Sequence, residues 1–119
     1  KWGKKRICAE STIVRAVQEF GNRSLDHTLM LPMRYSAGLM LGDEPFGIWG
    51  PHSGQAFGHV GLINKFAWAD PQRELSAAIL TSGIPVIAHH ILPLANVIRS
   101  IGNLTPRSDT NPTFALQFK

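Results

Sequence analysis

Five histidines, eight carboxylates, one cysteine and a scatter of serines are the side chains of this chain that could do chemistry. His59 has the most suggestive setting. The run Phe57-Gly58-His59-Val60-Gly61 holds an imidazole between two glycines in strand-forming sequence, and glycine lets a second backbone or a ligand come close to a neighbouring polar group. Taken alone, Gly-His-x-Gly is more often a strand end with an incidental histidine. The other candidates are poorer. His89 and His90 are adjacent and would diverge on a helix rather than share a metal. Cys8 has basic neighbours that favour a thiolate but no histidine beside it in sequence, and a lone cysteine forms no internal disulfide and completes no structural zinc set. Asp43-Glu44 and Asp70 lie in turn-like sequence, where carboxylates are usually solvated or accept from local N–H groups. Trp49 and Trp68 could line an acyl pocket, although such aromatics more often pack a core.

The elements that must position these residues follow from periodicity. Between Ser11 and Phe20 the apolar residues Ile13, Val14, Ala16, Val17 and Phe20 recur at helical spacing, with Ser11 or Thr12 as N-cap and Gly21 as terminator. Residues 21–34 lack a clear period and read as a connecting segment. Tyr35 to Leu41 reads as a strand, and the stretch from Gly42 to Gly58, with five glycines and two prolines, as a long ordered loop. Lys65–Asp70 and Leu75–Ser82 flank Pro71-Gln72-Arg73-Glu74 and predict a β-hairpin. The second arm is apolar on both faces, which predicts a central strand in a sheet covered by helices. Ile87, Ile91, Leu94, Ile98 and Ile101 predict a helix stopped by Gly102, with Pro93 either in its first turn or kinking it. Residues 103–119 form a polar, turn-rich tail whose end, Thr113–Lys119, reads as an edge strand or a frayed terminus. The expected class is α+β, an antiparallel β-sheet covered by helices, with residues 1–119 forming a single domain or a fragment.

Composition narrows the functions. The 119 residues are 44% hydrophobic and 17% charged, too apolar for extended disorder, and no apolar run is long enough to span a bilayer. The net charge of +4 owes much to Lys1, Lys4, Lys5 and Arg6, a basic tip that reads as a solvated terminus rather than a nucleic-acid surface. The opening Lys-Trp-Gly-Lys-Lys-Arg lacks the pattern of a secretory signal and reads as mid-protein sequence. The lack of paired cysteines fits a cytoplasmic compartment.

Three blocks in order sharpen the reading: Leu31-Pro32-Met33-Arg34-Tyr35-Ser36-Ala37-Gly38-Leu39-Met40-Leu41-Gly42, then Phe57-Gly58-His59-Val60-Gly61, then Phe66-Ala67-Trp68-Ala69-Asp70-Pro71-Gln72-Arg73-Glu74-Leu75. Together they resemble the C-terminal third of the β-lactamase-related serine hydrolases: class C β-lactamases, penicillin-binding-protein-like peptidases and β-lactamase-fold esterases. That family carries a short "GLGF-L" strand, a glycine-rich loop, an "FGHxG" strand and an "AFADPERGL" hairpin in this order. The similarity spans about residues 24–102, and the esterase-like members are the nearest, because they often place histidine where β-lactamases have the lysine of Lys-Thr-Gly.

The resemblance implies a β-lactamase/transpeptidase-like fold and an acyl-serine mechanism on a small ester, amide or lactam, without a cofactor. His59-Val60-Gly61 would match Lys-Thr-Gly on the strand lining the active site, and the backbone N–H of Leu62, just after Gly61, would be one oxyanion-hole donor. His59 would donate a hydrogen bond to the substrate or hold a catalytic tyrosine's hydroxyl. Val60 and Trp49 are the further substrate-binding candidates. Two family motifs are missing. No serine is followed three residues later by lysine, and Tyr35, the single tyrosine, is followed two positions on by Ala37 rather than asparagine. Both motifs lie N-terminal to this region in the family, so the resemblance implies a C-terminal portion, inactive alone, whose missing N-terminal part supplies the nucleophile. In the parent fold two N-terminal strands lie beside the strand matching Leu75–Ser82. The alternative is a non-catalytic association module that uses that open sheet edge to form homo-oligomers.

Overall fold

The computed structural model describes residues 5–61, 65–82 and 91–108. These build an α+β arrangement around antiparallel strands. Helix α1 (Glu10–Val17) leads into β1 (Ser24–Asp26), β2 (Leu31–Tyr35) and β3 (Met40–Leu41). The small hairpin β4 (Phe46–Gly47) and β5 (Gly50–Pro51) follows, then β6 (Phe57–Gly61), β7 (Lys65–Asp70), β8 (Leu75–Ile79) and helix α2 (Ile91–Leu104). Six strands form one sheet in the order β1-β2-β3-β6-β7-β8, and β4 and β5 pair separately. Among the described residues no helix is long and apolar enough to cross a membrane.

The hairpin β7–β8 matches expectation. Asp70 accepts from the Gln72 N–H at 3.0 Å, Pro71 opens a 3-10 turn over Pro71–Arg73, and Glu74 closes it in the left-handed region at φ 50°. The pairing then runs from Asp70 opposite Leu75 to Phe66 opposite Ile79 without interruption.

Other expectations need correction. Segment 21–34 is a hairpin, β1–β2, rather than a connector: the Asp26 carboxylate accepts from Thr28 N at 2.8 Å and Leu29 N at 2.9 Å, closing an Asx-type turn. Pro32 is tolerated because it pairs only with Leu25 of β1, while β3 joins β2 at Arg34 and Tyr35. The strand expected over 35–41 is instead a reversal. The Ser36 N–H donates to Leu39 O at 2.9 Å and the Ser36 hydroxyl accepts from Leu39 N at 3.0 Å, so only Met40 and Leu41 continue as strand.

Helix α1 ends at Val17, short of Phe20, because the next residues are drawn into extended pairing: Glu19 bridges Ser36 and Phe20 N donates to Tyr35 O at 2.8 Å. Its N-cap is Ala9, not Ser11 or Thr12. Pro93 is the third residue of α2 as described, and the residues before Ile91 lie outside the described ones. Gly102 does not stop this helix, which runs on to Leu104; Pro106 then disfavours a helical Thr105. Ile87, the His89-His90 pair and the tail Thr113–Lys119 lie outside the described residues.

Alternation along β6–β8 separates two sheet faces. On the core face, Phe66 and Trp68 are buried with Trp49, Ala56 and Ile98, and Val60, Ala77, Ile79, Leu94 and Ile101 pack around them. Trp49, from the tip of β4–β5, stacks on Trp68 with ring centroids 5.7 Å apart, and its Nε1–H donates to Met40 O at 3.0 Å. The opposite face of the same strands carries exposed His59, Lys65, Ala67, Ser76 and Ala78. Among the described residues β8 therefore stands at the end of the sheet and is covered on one face, where a central, doubly covered strand was expected. Its inner face is Leu75, Ala77 and Ile79, and its outer face is small rather than large and apolar; serine and alanine are found readily in either setting.

Candidate functional site

Residues 57–61 form β6, placed between β3 and β7. Gly58 is required here by close approach. A Cβ at this position would stand 2.3 Å from Ala67 O and 2.6 Å from the Trp68 Cβ, so the glycine lets β6 and the stacked tryptophans pack tightly. The same pleat turns the next residue, His59, to the open face. There it stands directly opposite Ala67, which stands opposite Ala78. One row across three strands thus reads histidine, alanine, alanine, and it lines an open depression of ≈ 530 Å³ together with Phe57, Ala69 and Ser76. No carboxylate lies among the residues lining it. Gly61 ends β6 opposite Lys65, and a Cβ there would meet the Lys65 Cβ only at 3.4 Å.

The candidates from sequence are only partly brought together. His59 and Gly61 share the open face. Val60 points to the core face, where it packs against the buried cluster. Trp49 is 3% exposed within that cluster, on the opposite side of the sheet from His59. Leu62, the candidate oxyanion donor, lies outside the described residues.

The remaining polar candidates are engaged elsewhere. Tyr35 donates its hydroxyl to Asp26; burial, then that bond, pushes its pKa up to about 12, so it remains protonated and holds the β1–β2 hairpin. Asp43 sits 2.9 Å from Arg23 Nε, and Glu44 meets His52 Nδ1 at 2.9 Å and Arg107 Nη1 at 3.5 Å. A second cavity, ≈ 190 Å³, lies between α1 and the sheet, bordered by Val14, Val17, Leu41 and Phe57. Its charges are matched: Arg34 forks onto Glu19 at 3.0 and 2.8 Å and donates to Gly42 O at 2.8 Å. This pairing lowers the Glu19 pKa and raises that of Arg34. Cys8 is exposed. Among the described residues no three of His, Cys, Asp and Glu gather as a metal set.

One positioning group escaped the sequence. Arg73 and Asp70 form an ion pair at 2.5 Å with side chains only 7% and 2% exposed. The same guanidinium donates to His52 O at 3.0 Å, Pro51 O at 3.1 Å and Gly102 O at 3.3 Å. It therefore ties the hairpin turn to the glycine-rich loop and to α2, and thereby fixes the core face behind His59. The only sequence signal was Asp-Pro-Gln-Arg in a turn, whose partners are distant backbone carbonyls.

No family model matches the chain, and no curated protein or solved structure matches it significantly.

Proposed function

We propose that this chain is the C-terminal, sheet-bearing portion of a β-lactamase-like serine hydrolase, of esterase or β-lactamase/peptidase type, which is inactive without a nucleophile supplied from outside these residues. The observation that carries the reading is the placement of His59, on the strand resembling Lys-Thr-Gly, within an exposed small-residue row whose depression is lined by no residue of a described helix. Alanines beside the imidazole leave room for an opposing layer and for a small substrate between the two.

In that reading a serine of the opposing layer attacks the carbonyl carbon of a small ester, amide or lactam. The neutral lysine of the Ser-x-x-Lys pair takes the serine proton, the carbonyl π electrons move to oxygen, the Leu62 N–H donates to this oxyanion, and collapse expels the alcohol or amine, which takes up that proton and leaves an acyl-serine that water hydrolyses. His59 donates a hydrogen bond to the substrate or holds the catalytic tyrosine in place. The test uses p-nitrophenyl acetate and nitrocefin. The 119-residue chain shows no turnover, whereas the longer gene product containing a Ser-x-x-Lys segment does, and His59→Ala there lowers kcat/KM by about 10²-fold or more. Turnover by the chain itself, indifferent to His59→Ala, contradicts the proposal.

A second reading, a non-catalytic association module, is favoured by one observation: among the described residues β8 is paired by β7 on one side and by no strand on the other.

A further inference from the structure

We propose that the cavity between α1 and the sheet binds a small apolar carboxylic acid. Its carboxylate sits on Arg34 in the place that the Glu19 side chain now takes, and its apolar part lies between α1 and the β3–β6 pair. The site is distinct from the His59 depression, and the inference does not rest on the hydrolase reading.

The apolar end of the site comes from two local pairings. Val14 and Val17, three residues apart on α1, share one helix face. Leu41 and Phe57 stand directly opposite each other in the β3–β6 pairing and so share one sheet face. Together with Ala56 these side chains wall a cavity of ≈ 190 Å³. An apolar cavity of about 150 Å³ takes a benzene ring, so the volume here suits one aromatic ring or a short aliphatic chain.

The polar end is a carboxylate receptor already in use. Arg34 and Glu19 both line the cavity, and Arg34 Nε and Nη2 donate to the two Glu19 oxygens at 3.0 and 2.8 Å. This is the parallel two-bond geometry with which a guanidinium recognises a carboxylate. Glu19 is not what aims the fork. Arg34 Nη1 donates to Gly42 O at 2.8 Å and to Gly54 O at 3.5 Å, so the guanidinium stays in place when the glutamate swings out. The Glu19 side chain is 34% exposed and lies past the end of α1 at Val17. Its backbone is held separately, by the bridge to Ser36 and by the Phe20 N–H on Tyr35 O. Exchange of one carboxylate for another leaves the charge balance at Arg34 unchanged, which avoids the cost of an unpaired charge, and burial of the apolar part supplies the gain. Glu19 is thus a built-in competitor that keeps the affinity low.

Nuclear magnetic resonance titration of the 119-residue chain with benzoate, benzamide and acetate tests both ends of the site. Benzoate is expected to move the Arg34 Nε–H and Leu41 amide signals with a dissociation constant of order millimolar. Benzamide, which lacks the charge, and acetate, which lacks the ring, bind more weakly by about tenfold or more. Glu19→Gln removes the competing charge and tightens benzoate about tenfold. Arg34→Lys loses the fork and weakens benzoate about tenfold or more, and Val14→Phe, which fills the apolar end and leaves the ion pair intact, does the same. Near-ultraviolet circular dichroism of the tryptophans reports whether each variant keeps its fold. Should Arg34→Lys unfold, Glu19→Gln and Val14→Phe decide the matter, because both keep Arg34. Benzoate binding indifferent to these two variants overturns the site, and so does a response confined to His59 and Ala67, which places the acid in the depression instead. No response of Glu19→Gln to benzoate at about 20 mM overturns it outright. Turnover by a longer gene product bears on the hydrolase reading alone.

Discussion

The two faces of β6–β8 come from the same residues in alternation, yet they do opposite work. On one, Phe66 and Trp68 are buried under Trp49 and Ile98, with α2 as the covering layer. On the other, His59, Ala67 and Ala78 stand in a row open to solvent. The contrast teaches that the pleat divides bulk from access: large side chains lie where α2 and the β4–β5 tip cover the sheet, and small side chains flank the exposed His59, the group proposed to serve a site.

Substitutions can break this contrast. Trp68→Ala removes the stacked core partner and should cost about 3–5 kcal/mol, whereas Ala67→Ser, its open-face neighbour, should fall within about 0.5 kcal/mol; chemical denaturation of both checks the difference. Equal costs would erase the distinction between faces. Arg73→Ala leaves Asp70 buried without its partner and releases three backbone carbonyls from loop and helix. A loss of about 3–5 kcal/mol is expected, with earlier amide exchange in the loop over 42–58. Gly58→Ala drives a Cβ into the Ala67 carbonyl and the Trp68 side chain and should cost about 1–3 kcal/mol, whereas His59→Ala, at an exposed position, should change stability by no more than about 0.5 kcal/mol.

The smaller effects sharpen the picture at the sheet's other end and at the hairpin turn. The Tyr35 hydroxyl, pushed up to about 12, stabilises fully below the unfolded tyrosine value of about 10, and that contribution is lost as pH climbs from about 10 to 12. Asp26 is held below its ordinary value by the Tyr35 hydroxyl and then by the Leu29 N–H. Its contribution is present above the unfolded value of about 4 and lost as pH falls further. Tyr35→Phe should therefore flatten the melting temperature in both ranges. Glu74→Gly relieves a left-handed residue at φ 50° and should stabilise by about 1 kcal/mol, read as a melting temperature a few degrees higher.

The parts legible in sequence were those whose signals are local. Asp70-Pro71 presets the β7–β8 turn, and the bulk of Trp49 and Trp68 points to core packing. What escaped depends on distant partners. Residues 18–20 leave the helix because Tyr35 and Ser36 offer backbone pairing, and β1–β2 hides behind a proline that sits where only one neighbour pairs. Arg73 is unreadable as a clamp because carbonyls of Pro51, His52 and Gly102 carry no side-chain signature. Of the candidate site, His59 and Gly61 share the open face, whereas Val60 and Trp49 belong to the core face, a division that follows from strand register rather than from residue type.

Active-site phosphonylation reads the nucleophile most directly. The chain, and any longer gene product that contains it, are treated with a fluorophosphonate and mapped by mass spectrometry. The expected adduct lies on a Ser-x-x-Lys serine outside residues 1–119, forms only in the longer product, and slows when His59 is replaced by alanine. An adduct on any serine of the chain itself, from Ser11 to Ser108, formed at an undiminished rate without His59, contradicts the proposed division between a face that packs and a face that serves a site.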